Sequence, residues 1–217
     1  MLLEGLFPPK VRTAEIGIDA EAAGLFPEEC RALAGAVERR RREFQAGRAC
    51  ARQAMRGLGI APMAVPVGAD RAPIWPAGVI GSISHNETRC AAALALTSDR
   101  FRAIGLDIEA AAPLDDAFTE EICTRREAAW LSRRPRVDRG LLLKAIFSAK
   151  ECTYKCQYPL TGQIFDFTTI DIDLDIAAGW FEATFAQDVS PFRSGDRLRG
   201  RVRLAQGHIV TAMIIDS

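Results

Sequence analysis

Apolar and polar positions alternate in distinct rhythms along this chain. Between residues 28 and 57, Leu33, Val37, Phe44 and Met55 recur at helical spacing through a basic stretch, with Pro27, Glu28 and Glu29 ahead of them and Gly57 and Gly59 behind. Proline and acids at the start and glycine at the end predict one or two helices there. Residues 61–81 hold four prolines and three glycines, which predicts a loop region. GSISH then leads into CAAALAL, and a turn at residues 97–99 precedes FRAIGLDIE. Two neighbouring strands, the second buried, follow from the β-branched and apolar run. The spacing of Ile122, Trp130 and Leu131 predicts a helix over 119–132, broken by Pro135, and a second over about 138–158. The final third alternates between turns and predicts three or four antiparallel strands. Each half thus offers helices and strands, giving an α+β chain of two similar lobes, 1–105 and 106–217.

Composition narrows the classes. The 217 residues are long enough to bury a core, and 48% hydrophobic with 26% charged residues suits a globular protein. Lys plus Arg and Asp plus Glu both number 28, so an anion-binding surface must be a local cluster, and no nucleic-acid partner is expected. The N-terminal stretch carries Glu4, Pro8 and Pro9 and lacks the long apolar core of an export signal. No apolar run approaches the length of a membrane span. Six scattered cysteines without a CxxC pair are expected to be reduced thiols of a cytoplasmic protein, with Cys152 and Cys156 in the core.

Four places carry candidate chemistry. In a strand, Asp107 and Glu109 project to one face and Ile108 to the other, so two carboxylates emerge together and suit Mg²⁺. A solvent-facing edge strand would look the same. On the helix LLLKAIFSAKECTYKC, Lys144, Ser148, Glu151 and Lys155 share one stripe, which an exposed face with an i, i+4 ion pair also explains. Ser82, Ser84 and His85 follow the loop and could meet phosphate oxygens, or simply cap a turn. Arg39 to Arg42 and Arg48 add positive charge on the first helix.

The ordered combination is more specific than its parts. The arginine-rich GRAC helix, RAPIWP, GSISH, IGLDIE, FSAKECTYK and YPLTGQIFDF, across roughly residues 39–168, resemble the phosphopantetheinyl transferases of the Sfp type, especially the enterobactin-synthetase component D branch. That resemblance implies a pseudo-twofold arrangement of two α/β lobes with the site between them. It implies Gly105, Asp107 and Glu109 as the GxDxE motif, and Phe147, Ser148, Lys150, Glu151, Cys152 and Lys155 as the second motif. Asp107, Glu109 and Glu151 would be magnesium ligands, with Glu151, Lys155 and Asp107 catalytic.

For coenzyme A it implies Lys150 and Lys155 beside the diphosphate, Ser84 and His85 as the coenzyme-binding pair, Arg48 with Arg40 or Arg41 on the 3′-phosphate, and Arg71 and Pro73 against the adenine. Ala72 stands where some relatives have a lysine, and Cys152 replaces Ser or Ala. The implied reaction moves phosphopantetheine from coenzyme A to a serine of an acidic apo carrier protein, by a monomeric enzyme. The implied acceptors serve non-ribosomal peptide, siderophore or polyketide synthesis, with fatty-acid carriers left open. The arginines at 125, 126, 133, 134 and 136 form a basic segment expected near the site as the carrier dock. A magnesium-dependent phosphodiester hydrolase and a non-catalytic coenzyme-binding module are the alternatives.

Overall fold

The computed structural model describes residues 1–20 and 24–216. Two compact units account for it, one built from Leu3–Ile104 and the other from Gly105–Ile215.

The first unit is a three-stranded antiparallel sheet, in the order β1 (Arg12–Gly17), β3 (Arg89–Leu96), β2 (Val79–His85). The short helix α1 (Pro27–Cys30) and the long α2 (Glu38–Gly57) complete it. Ala46, Cys50, Ala51, Ala54 and Met55 of α2 meet Cys90, Ala92 and Leu94 of β3 in one buried cluster. The small side chains of CAAALAL let the helix approach closely, and every residue from Cys90 to Ala95 is fully buried. β1 is absent from the expectations above, because only Ala14 of its six residues is buried and so no clear alternation marks it. The expected loop lies between α2 and β2, and one bridge from Val67 to Pro73 closes a tight turn within it.

The second unit carries a five-stranded sheet in the order β4 (Phe101–Ala110), β8 (His208–Asp216), β7 (Arg197–Ala205), β6 (Trp180–Phe185), β5 (Ile170–Asp175). Three helices belong with it: α3 (Thr119–Ile122), α4 (Arg125–Ser132) and α5 (Arg136–Thr161). The single helix expected over 119–132 is therefore two. Cys123 turns extended (ψ 141) and Thr124 caps α4, its side chain accepting from Glu127 N while the Glu127 carboxylate accepts from Thr124 N. That reciprocal box satisfies amides that a continuous helix would have used differently, so the chain restarts there. α5 ends at Gly162, which adopts φ 62 and donates to the Tyr158 carbonyl at 2.8 Å.

α5 packs on β4 through a contact that only glycine allows. A Cβ placed on Gly105 would lie 2.2 Å from the Cys152 carbonyl oxygen and 2.8 Å from Cys156 Cβ. Among the described residues no helix is long and apolar enough to cross a membrane. All six cysteines are free thiols, Cys30 exposed and the other five buried, with Cys152 and Cys156 in the core as expected.

Candidate active site

Asp107 and Glu109 lie two residues apart on β4, so their side chains share the face turned toward α5. Asp107 is 2% exposed, with one oxygen accepting from Lys155 Nζ at 2.6 Å and the other from Ser148 Oγ at 2.8 Å. Thr211 of β8, which sequence reasoning passed over, supports this set: its hydroxyl lies 2.9 Å from Ser148 Oγ and donates to the Ser148 carbonyl. Glu109 accepts from Lys144 Nζ at 3.2 Å, and Glu151 stands 4.0 Å from Lys155 Nζ. The polar stripe of α5 therefore faces the two strand acids and is not an exposed surface.

The electrostatics follow from crowding like charges in a partly buried place. Burial raises the Glu109 carboxyl above its usual range and Asp107 raises it further, while Lys144 opposes both. Burial likewise raises Glu151; Lys155 lowers it, and Asp107 and Glu109 push it back up. Burial alone would weaken the charge on Lys155, but Asp107 and Glu151 outweigh it and hold the ammonium above its ordinary value. Asp107, Glu109 and Glu151 repel one another beside two ammonium groups, and each carboxylate is an oxygen donor of the hard kind that Mg²⁺ takes. Among the described residues no three or more His, Cys, Asp or Glu side chains converge as a ready metal cluster. Lys144 and Lys155 supply positive charge beside the carboxylates.

A cavity of about 350 Å³ opens beside Glu151. Tyr154, Phe165, Phe167 and Ile170 give it apolar walls, and its polar lining comes from Glu121, Lys150, Glu151 and Asp166. Phe165 meets Tyr154 edge-on at 5.6 Å, and Phe167 lies 5.5 Å from Phe147. Lys150, expected beside phosphates, is 2% exposed, with its ammonium 2.7 Å from Glu127 and donating to the Phe167 carbonyl at 2.7 Å.

The remaining expected residues lie in the first unit. Arg40 reaches His85 Nε2 at 3.3 Å, and the buried Glu43 lies within 4 Å of both Arg40 and His85. Arg41 is turned to the Ala36 carbonyl. Arg48 donates to the Val65 carbonyl at 2.9 Å and lies over the Phe44 ring, and burial lowers its pKa to about 10. Ser84 is buried in β2. Arg71 adopts a left-handed conformation (φ 69) at the tip of the turn that Pro73 closes.

The five arginines expected to form one basic segment are divided. Arg126 pairs with Asp171 and Asp173, and Arg134 lies over Trp130. Arg125, Arg133 and Arg136 are exposed. Arg136 opens α5, so Glu151, fifteen residues on, lies about 22 Å further along the helix axis.

Comparison with known proteins identifies the family. The family described as 4′-phosphopantetheinyl transferase N-terminal domain matches residues 28–95, and that described as 4′-phosphopantetheinyl transferase superfamily matches residues 103–199. The chain is 35% identical over 226 residues to 4′-phosphopantetheinyl transferase Npt of Nocardia iowensis, covering 98% of this chain and 99% of that protein. It is 32% identical over 213 residues to 4′-phosphopantetheinyl transferase PptT of Mycobacterium tuberculosis, covering 93% and 91%. Enterobactin synthase component D of Escherichia coli K12 matches over 130 residues at 39% identity, 57% of each chain. With similarity spanning almost the whole sequence, and its strand acids and helix lysine brought into contact, the chain belongs to the 4′-phosphopantetheinyl transferase superfamily.

Proposed function

We propose that this chain transfers the 4′-phosphopantetheine group of coenzyme A to a serine of an apo carrier protein, with Mg²⁺, releasing adenosine 3′,5′-bisphosphate. The observation that carries the reading is the coupling of Asp107, Glu109 and Glu151 to one another and to Lys155 within a single strand and helix.

The serine oxygen bonds to the β-phosphorus as the bond to the bridging oxygen breaks, and the departing bisphosphate takes that oxygen with its electron pair. Glu151, whose proton affinity is raised, accepts the serine proton directly or through water. Lys155 remains an ammonium and stabilises charge on the diphosphate and the leaving group. Asp107, Glu109 and Glu151 would hold Mg²⁺, which neutralises diphosphate charge when bound. The apolar cavity beside Glu151 suits the pantetheine arm, whose amides and methyl groups need a half-apolar wall. Arg40 and Arg48 supply the positive charge that a 3′-phosphate needs, with His85 beside Arg40, and Arg71 and Pro73 remain the candidates for the adenine. Carriers of siderophore or peptide synthesis are the favoured acceptors, on the partial likeness to enterobactin synthase component D. The reduced cysteines fit a cytoplasmic setting.

Mass spectrometry of apo carriers incubated with coenzyme A and Mg²⁺ tests this. One phosphopantetheine per acceptor is expected, and coenzyme A cleaved without any carrier would point to hydrolysis instead. Glu151→Gln is expected to reduce transfer by about 10²-fold or more while leaving coenzyme A binding near its original strength. Full transfer by that variant would remove Glu151 as the base.

A further inference from the structure

Lys150 directly precedes Glu151 on α5, yet its side chain is turned into the core of the second unit. Its ammonium is closed in by the Glu127 carboxylate and by the Phe167 carbonyl, each at 2.7 Å. Glu127 is equally buried and does more than pair. One of its oxygens also accepts from Thr124 N at 2.7 Å, and the other from Ile172 N at 2.6 Å. A single buried pair therefore ties four pieces of chain together: the start of α4, strand β5, the turn at Phe167–Thr169, and α5.

We propose that Glu127 and Lys150 are a positioning pair, which holds the chain from Phe165 to Ile170 as the wall of the cavity beside Glu151, and that Lys150 does not touch the coenzyme phosphates. Three observations support this. The pair's side chains are only 1% and 2% exposed, and the Lys150 ammonium is taken up by Glu127 and the Phe167 carbonyl. Its partners are the backbone atoms that set the cavity wall, since Phe167 and Ile170 line the cavity and Lys150 holds the Phe167 carbonyl. Finally, a buried ion pair is a poor way to add stability, because desolvating both charges offsets their attraction and an apolar pair of similar volume commonly does as well. What the ion pair adds is a fixed position for the groups bonded to it.

The kinetic part of the test rests on the transferase reading, and the structural part does not. Glu127→Gln, Lys150→Met and the double variant Glu127→Leu with Lys150→Met are compared with the unaltered protein. The double variant removes both charges together, so it keeps a folded form available if a single variant unfolds. In the folded variants, amide hydrogen exchange over Phe167–Ile172 is expected to quicken by about tenfold or more, while amides of β2 and β3 keep their protection. With a carrier and coenzyme A, kcat is expected to fall about tenfold and the coenzyme A KM to change less than about threefold. The loss in the double variant should not exceed that of the worse single variant, because both residues act as one unit. Unchanged exchange over Phe167–Ile172 overturns the proposal. So does a Lys150→Met variant whose coenzyme A KM rises tenfold while Glu127→Gln behaves normally, since that pattern marks a direct phosphate contact. Should the unaltered protein transfer nothing, the transferase reading fails and the exchange result still decides the pair.

Discussion

Glu109 and Glu151 are held in a state that favours their protonated forms, burial being the larger cause for each and Asp107 adding to it. In the folded chain both bind protons more firmly than in the unfolded chain, where glutamate titrates near its ordinary value of about 4.3. Without metal, these two groups therefore make the fold gain stability as pH falls from neutral through their raised values, the gain being complete near the ordinary glutamate range. Lys155 follows the same sign at the far end of the scale, where its stabilising charge is lost only as pH rises through its raised value. Thermal unfolding in a chelator, from pH 7 down to pH 5, is expected to show the unaltered protein gaining on a Glu109→Gln, Glu151→Gln variant. A constant difference between the two would contradict the shifts. The proposed Mg²⁺ site would need both carboxylates ionised, so the apparent Mg²⁺ affinity, measured by calorimetry over the same range, should weaken on acidification.

At the scale of elements, the close packing of β4 on α5 sets where Asp107 meets Lys155. A methyl group at Gly105 would strike the Cys152 carbonyl, so the helix must move away from the strand. Gly105→Ala is expected to cost about 1–3 kcal/mol in urea denaturation and to lower kcat in the same protein. Unaltered values for both would mean the helix yields freely. Much of this layer was legible in the sequence. Asp107 and Glu109 on one strand face, and Lys144, Ser148, Glu151 and Lys155 on one helix stripe, follow from the periods of strand and helix, and the two faces do meet. The division at Cys123 was legible in principle, because Thr124 and Glu127 have capping-box spacing, but the apolar rhythm runs through it. Two features were beyond reach. β1 shows only one buried residue, and the Glu127–Lys150 pair joins positions 23 apart whose partnership no local spacing records. The family motif placed Lys150 beside the phosphates, and nothing in its local spacing signals that its side chain turns inward to Glu127.

Across the whole molecule, 28 basic and 28 acidic residues leave no net field to draw an acidic carrier in, so attraction must come from local clusters. All five arginines between 125 and 136 are exposed; Arg126 already pairs with Asp171 and Asp173 and Arg134 lies over Trp130, so Arg125, Arg133 and Arg136 are the ones to change. Changing those three to Glu is expected to raise the carrier KM and to flatten its salt dependence, with the coenzyme A KM unchanged. An unchanged carrier KM would move the dock to another surface. The acids, lysines and cavity all belong to residues 105–215, and the Arg40, Arg48 and His85 group to residues 3–104. What spaces the reacting groups in the first of these sets is the absence of a side chain: strand and helix rest main chain against main chain at Gly105. Their separation is thus a gauge cut in the backbone itself, so repacking elsewhere on α5 can drift through generations of substitutions while the distance from Asp107 to Lys155 stays fixed by a single hydrogen atom.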